Sequence, residues 1–328
     1  MHAATVIFGY GPVGRLVTAA LVARGDRVIV AQRKRPAELP VGADFLACDI
    51  LQPDAVRRAV AGAAQVLFAV GFAYDARVWR TAWPAAMTNV VEACAASGAR
   101  IVFIDNLYQL GPQDRPRHED MPLSSRGAKP PVLAEVTRIW MRARDRVRVA
   151  ALRCPDFYGP DVPLAHLGAT SFGRLARGKP ALMVVPPDMP HDFAYVPDIA
   201  RAAVTLLDAP DDAFGQVWNM PCARTRTSRE ILALGAQAIG RPLRLTRVPF
   251  RLLPLFGIFV RFMKEVADVG FTWNRPYIID ARKFERRFWS DVTPFEVGAP
   301  ATAKSFAAAA AVPAKPALPQ RLRRQTSS

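Results

Sequence analysis

Gly9-Tyr10-Gly11-Pro12-Val13-Gly14 directly follows an apolar run at 6–8 and directly precedes an amphipathic stretch, 15–24, that ends at Gly25. The GxGxxG spacing carries chemical meaning in this order of strand, loop and helix. Gly9 allows the tight turn, Gly11 lets the backbone approach a pyrophosphate, and Gly14 lets helix and strand close up. The N–H groups opening the helix then face the phosphates, and Pro12 and Val13 complete the loop. The second apolar run ends Val28-Ile29-Val30-Ala31-Gln32-Arg33-Lys34-Arg35. An acid there would bind the ribose hydroxyls of NAD(H), whereas arginine favours the 2′-phosphate of NADP(H). Three consecutive cations and no acid predict NADP(H), with Arg33 as its contact.

Other chemistries find little support. The histidines at 2, 118, 166 and 191 show no HExxH or paired spacing, so no metal site is expected. Cys48, Cys94, Cys154 and Cys222 form no CxxC pair and suggest neither a disulfide framework nor a zinc site. Gly-x-Ser-x-Gly is absent, so a nucleophile elbow is not expected. The formal charge is +16, but the 25 residues from Lys304 onward contain no acid and contribute five of those charges. The remainder reads as a solvated, arginine-rich surface and not as a nucleic-acid footprint. The apolar run 252–260 is far short of the ~20 residues a membrane-spanning helix needs, and no signal peptide is visible. With the cysteine usage, this predicts a cytoplasmic protein with no membrane span.

The elements that must position the loop are legible from periodicity. Strand-like runs near 5–8, 27–31, 45–47, 65–70, 100–104 and 147–152 alternate with helical patterns at 14–24, 54–60, 79–97 and 132–144. Strands separated by single helices imply right-handed βαβ crossovers. The predicted fold is α/β, a doubly wound parallel sheet of the Rossmann type over residues 1–155. A smaller C-terminal α/β substrate lobe is expected over 156–300, with a helix near 169–177, a strand near 181–185 and a helix at 197–207. Segments such as 216–219 would return to the lobe or to the sheet. Residues 301–328, rich in Ala, Pro and Lys, are expected to be a disordered basic tail.

Over roughly residues 4–300 the chain resembles the extended branch of the short-chain dehydrogenase/reductase superfamily, the NAD(P)-dependent epimerase/dehydratase group. The likeness rests on several stretches in order. Cys48-Asp49-Ile50 followed by Asp54 is similar to the segment that meets the adenine ring. Asn89-Val90-Val91-Glu92-Ala93-Cys94 resembles the helix before the central strand. IVFIDNLYQLG at 101–111 resembles the strand and turn that present a catalytic hydroxyl. LRCPDFYGP at 152–160 resembles the LRPxxxYGP turn, and HDFAYVPDIA at 191–200 resembles RDFVYVDDVA. The resemblance implies that Asp49, Ile50 and Pro155 join Gly9, Gly11, Pro12, Val13, Gly14 and Arg33 around the cofactor. Tyr158 and His191 would meet a small-molecule substrate. A homodimer would form through the helix pair near 79–97 and 132–144. The segment 251–269, basic and apolar together, would pack in the substrate lobe or wall its pocket.

The departures bear on mechanism. The loop is GxGxxG where extended members usually carry GxxGxxG. Asn106 stands where the family places its catalytic serine or threonine, and Gly127-Ala128-Lys129-Pro130-Pro131 stands where it places YxxxK. The family tyrosine and lysine supply acid/base catalysis of ~10²–10⁴-fold. Tyr108 is the first candidate to replace the phenol, with Asn106 either orienting substrate oxygen or only bonding its own turn. Lys129 could take the lysine role, although the proline pair after it should break the helix that holds such a lysine. The expected function is an atypical oxidoreductase or epimerase-like enzyme on a small organic substrate, the alternative being a non-catalytic NAD(P)-binding sensor or scaffold.

Overall fold

A computed structural model describes residues 4–183, 185–247 and 261–311, without the side chains of 261–264. Seven strands, β1 (Ala4–Phe8), β2 (Val28–Gln32), β3 (Ala43–Ala47), β4 (Ala63–Phe68), β5 (Arg100–Asp105), β6 (Val149–Arg153) and β11 (Gln216–Asn219), form one sheet in the order β11-β6-β5-β4-β1-β2-β3. Every pair in it is parallel. The strands are nearly continuous apolar runs because helices cover both faces. β1, for example, is buried at all five positions.

On one face lie α2 (Pro53–Val60), α3 (Ala76–Ser97) and α4 (Pro130–Arg142), whose Val56, Trp83, Val90 and Trp140 share a core with Val6, Phe68 and Phe103 of the sheet. On the other lie α1 (Pro12–Ala23) and α6 (Val196–Asp208), joined by Val17, Leu21, Ile199 and Leu206. The buried stripe of α1, Val13, Gly14, Val17, Thr18 and Leu21, has helical spacing. The helix at 197–207 therefore packs on the large sheet and not on the second lobe, and 216–219 closes that sheet's edge beside β6.

Most of the remaining elements gather around a separate apolar cluster: β7 (Asp156–Tyr158), α5 (Gly173–Ala176), β8 (Ala181–Met183), β9 (Pro190–His191), β10 (Phe193–Tyr195), β12 (Arg226–Thr227), α7 (Ser228–Ala238), β13 (Leu245–Arg247) and α10 (Phe295–Ala311). Two do not: α8 (Arg261–Asp268) lies against the starts of α3 and α4, and α9 (Arg282–Arg287) puts Phe284 into the core of α1 and α6. Phe172, Leu175, Phe193, Ile231, Leu232, Trp273, Phe295 and Ala299 are buried together in the separate cluster.

Two expectations are corrected. The expected disordered tail from 301 is helical as far as Ala311, because Ala299 and Ala303 of α10 are buried, with Ala303 built against Gly235 of α7. Burial of one small-residue face outweighed the compositional signal, and residues 312–328 lie outside the described residues. The pair Pro130-Pro131 does not break α4 but opens it, at the first turn where proline lacks only an N–H the helix would leave unpaired. Residues 251–260 of the segment 251–269 also lie outside the described residues. No helix among the described residues is long and apolar enough to cross a membrane.

Candidate functional site

The chain leaves β1 toward β2 on one side and β4 on the other, so a crevice opens at the carboxyl ends of those strands, where ligands bind in such sheets. Its volume is about 860 Å³, and its walls include Gly9, Tyr10 and Gly11, then Gln32, Arg33 and Lys34, then Asp49 and Ile50, then Ala69–Ala73.

The three glycines of the loop sit in different surroundings. Gly9 has φ +97°, and a Cβ there would lie 2.5 Å from the Ala69 carbonyl oxygen. A Cβ on Gly14 would lie 2.0 Å from the Gly9 carbonyl oxygen, so the helix meets the loop only without a side chain. Gly11 has no such neighbour within 4 Å, and its absent side chain keeps the crevice open instead. Gly11 is also the residue before α1, with Pro12 as its first residue and no side chain capping it. The helix N-terminus thus offers its unpaired backbone donors to an anion. Pro12, Val13 and Gly14 do not wall the crevice. Val13 is instead buried in the core, which leaves its backbone as the part available to a ligand.

Gln32, missed by sequence reading, holds the loop and the cationic turn together. Its Oε1 accepts from Tyr10 N–H (3.2 Å), and its Nε2 donates to the Lys34 carbonyl (2.8 Å). The residue at the position of an acid is a neutral clamp, and its location at the end of the second strand was the available signal. Arg33 and Lys34 are exposed on the crevice wall, while the Arg35 guanidinium rests over the Phe45 ring at 5.7 Å. Further along the wall, Asp49 Oδ1 accepts from Leu51 N–H, and the Ile50 carbonyl accepts from Asn89 Nδ2.

Beyond Ala73 the wall leads into an aromatic and ionic cluster. Asn106 Oδ1 accepts the Tyr108 N–H (2.9 Å), the self-bonded turn that was the alternative to a substrate role. The Tyr108 ring stacks on Trp79 (6.4 Å, 18°), and its hydroxyl is hydrogen-bonded to the Tyr74 hydroxyl. Burial pushes both phenols well above their ordinary range. The Lys129 ammonium sits over the Tyr74 ring at 4.6 Å and donates to the Glu265 carboxylate and to the Glu265 carbonyl (2.9 Å). Glu265 and Tyr74 were not singled out in the sequence, because nothing in their local pattern tells that α8 folds across the starts of α3 and α4.

Ahead of Lys129 the chain turns sharply. Gly127 has φ +91°, and its position lies against the Asp268 carboxylate, which accepts from Ala128 and Lys129 N–H. Lys129 caps α4 from outside and does not lie one turn within it.

The substrate candidates stand elsewhere. Tyr158 is 1% exposed and packs on Tyr195, Phe295 and the bare Cα of Gly298, so it is a core aromatic of the second cluster and not a crevice residue. His191 is also fully buried, its Nε2 2.9 Å from Asp156 Oδ2 and its ring between Trp273 and Tyr277. Pro155, two residues past β6, is buried and is not on the crevice wall. Asp105 is bonded to Gln109 Nε2 (2.7 Å) and Arg153 Nε (3.3 Å), and burial raises its carboxyl to about 6.

Residues 5–220 match the model of the NAD dependent epimerase/dehydratase family. A curated relative, dTDP-6-deoxy-L-talose 4-dehydrogenase (NAD(P)(+)) of Kitasatospora kifunensis, is 27% identical over 267 residues, which are 74% of this chain and 81% of the relative. Among solved structures, UDP-glucose 4-epimerase of Thermotoga maritima superposes with a TM-score of 0.75 at 18% identity, covering 94% of this chain and 99% of that one. UDP-glucuronic acid 4-epimerase of Bacillus cereus, in complex with UDP-glucuronic acid and NAD, gives 0.76 at 16% identity, covering 92% and 98%.

Proposed function

This chain belongs to the NAD dependent epimerase/dehydratase family, and from that membership we propose that it is an NADP(H)-dependent oxidoreductase or epimerase-like enzyme acting on a small organic substrate. The observation that carries the cofactor reading is the crevice, where the open Gly11 backbone and the α1 N-terminus face a turn with two cations, Arg33 and Lys34, and no carboxylate. Gly9, Gly11, Arg33, Lys34, Asp49 and Ile50 would hold the dinucleotide, which supplies hydride transfer when bound.

In this reading Tyr108 takes the place of the family phenol. Its hydroxyl exchanges a proton with a substrate oxygen, and its hydrogen bond to the Tyr74 oxygen holds the proton on Tyr108, the form of a general acid. Lys129 acts through Tyr74, whose ring it faces. Asn106 sets the turn and does not meet substrate.

A second reading, a dinucleotide sensor without turnover, is favoured by one observation: Glu265 and Asp268 occupy the starts of α3 and α4, beside Tyr74 and Lys129. Calorimetric titration of the full chain with NADPH and NADH, followed by NADPH oxidation across a panel of sugar and small carbonyl substrates, separates the two. The enzyme reading expects saturation with NADPH at lower concentration than NADH and consumption of NADPH with at least one carbonyl. Saturation with a silent panel would favour the sensor, and no heat with either dinucleotide would sink both.

A further inference from the structure

Three stretches of the chain, 162–187, 231–247 and 297–328, hold eleven lysines and arginines and no acid, and they account for most of the net charge of +16. The fold brings them to one end of the second cluster. β8 and β13 pair in parallel, the Ala181 N–H donates to the Arg244 carbonyl (2.8 Å), and the Arg241 guanidinium lies beside Gly178. α10 packs Ala303 against Gly235 of α7 and Phe306 against Gly173 of α5. The carboxyl ends of these three helices therefore meet around a cavity of about 460 Å³, walled by Ala176, Ile239, Ala307 and Ala310 together with Arg177 and Arg241. It shares no residue with the dinucleotide crevice.

The helix ends do not consume these side chains. The backbone N–H of Arg177 closes α5 on the Arg174 carbonyl (3.1 Å), and that of Arg241 closes α7 on the Ala236 carbonyl (2.9 Å). Arg177, Lys179, Arg241, Arg244 and Lys304 are exposed, and none of the five forms an ion pair among the described residues. Arg229 and Arg247, by contrast, share Asp188. Cations held on rigid elements without counter-charges repel one another and set up a field that an anion outside the chain relieves.

The chemistry of that anion follows from the surroundings. Residues 312–328 start at the cavity, which Ala311 also lines, and they add Lys315, Arg321, Arg323 and Arg324 and no acid. Like charge excludes this segment as the occupant and makes it a second source of the same attraction. A single-stranded polynucleotide would bring bases to stack, and the cavity offers no aromatic ring among its lining residues. An apolar wall between two guanidinium groups suits a phosphate ester that carries hydrocarbon. Clusters of about four to eight cations draw proteins to anionic bilayers in this way.

We propose that this end of the molecule docks on an anionic lipid bilayer, with Arg177 and Arg241 taking lipid phosphates and the cations after Ala311 adding to the attraction. The contact is peripheral and electrostatic, so it weakens as salt rises. It stands independently of the cofactor reading.

The test is co-sedimentation of the full chain with vesicles of phosphatidylcholine alone and of phosphatidylcholine mixed with phosphatidylglycerol. Binding to the mixed vesicles only, lost as salt is raised, is expected. Arg177→Gln/Arg241→Gln should lower that partition by about tenfold or more, the effect of two cations at a charged surface, while Arg177→Lys/Arg241→Lys stays close to wild type. Arg142→Gln/Arg144→Gln removes the same charge at the end of α4 and should change the partition little. All of these side chains are exposed, so the variants should melt like wild type. Wild-type protein that stays in the supernatant with mixed vesicles overturns the proposal. An equal loss in Arg142→Gln/Arg144→Gln does the same, because net charge alone would then be the cause. So does full binding by Arg177→Gln/Arg241→Gln with loss only on neutralising Arg321, Arg323 and Arg324. Duplex DNA that binds the chain more tightly than the mixed vesicles at equal salt would assign the surface to nucleic acid and overturn it as well.

Discussion

The Lys129 ammonium, fully shielded from solvent, is paired with the Glu265 carboxylate, and the same Glu265 oxygen accepts the Ala76 N–H at the start of α3. One carboxylate from α8 thus joins the openings of α3 and α4 across 136 residues of chain. Asp268, one turn on, completes the arrangement by accepting from Ala128 and Lys129 N–H.

Removing one partner of a buried ion pair costs more than removing both. Glu265→Gln should therefore destabilise the protein by about 3 kcal/mol, with Lys129→Met/Glu265→Gln less damaging than the sum of its parts. Chemical denaturation of the two single variants and the double variant closes the cycle, and additive losses would mean the pair contributes no coupling.

The glycines of the first loop should separate folding from binding. Gly14→Ala places a methyl 2.0 Å from the Gly9 carbonyl oxygen and should lower the melting temperature. Gly11→Ala meets nothing within 4 Å, so it should melt like wild type while its NADPH affinity falls at least about tenfold, because the methyl enters the space a pyrophosphate needs. A Gly11→Ala protein that binds NADPH normally would show that the backbone approach is not used.

Arg33→Ala and Lys34→Ala should each weaken NADPH by about tenfold, the loss typical of a hydrogen bond to a charged group, and leave NADH nearly unchanged. Arg35→Ala should do neither, since its guanidinium is over Phe45. Paired titrations with the two dinucleotides decide this.

Tyr108→Phe should lower kcat by about 100-fold or more if its hydroxyl carries the proton. Tyr74→Phe should lower kcat less and shift the alkaline limb of the pH–rate profile downward, because it removes the Tyr74 contact that raises the Tyr108 phenol. Both variants should retain NADPH affinity, and unchanged turnover in Tyr108→Phe would remove it from the chemistry.

Asp105 sets a pH dependence of stability. Its folded carboxyl lies at about 6, above the 3.8 of a free aspartate, because burial outweighs its bonds to Arg153 and Gln109. The folded state therefore holds a proton that the unfolded state has released, and stability falls as pH rises from about 4 to about 6, by roughly 3 kcal/mol at most. Asp105→Asn should flatten that segment of the stability profile. A variant with the wild-type slope would place the proton elsewhere.

The loop and the crevice beside it were legible in the sequence because their determinants are local: Gly9, Gly11 and Gly14 within six residues, Arg33 just past the end of the next strand, and alternating apolar periods that specify a parallel sheet. The tertiary structure decided what depended on distant segments meeting. Tyr74, Lys129 and Glu265 come together only because α8 crosses the starts of α3 and α4. Tyr158 and His191, placed at the substrate by motif, are instead buried by Gly298, Trp273 and Tyr277, far along the chain. Arg117 reads as one more surface cation until Tyr277 and the 278–280 backbone close over it. Residues 301–311 look like disordered tail by composition and become helix because α7 offers them a face to cover. Backbone conformation and helix capping follow from neighbours in sequence, whereas burial and the pairing of charges follow from neighbours in space.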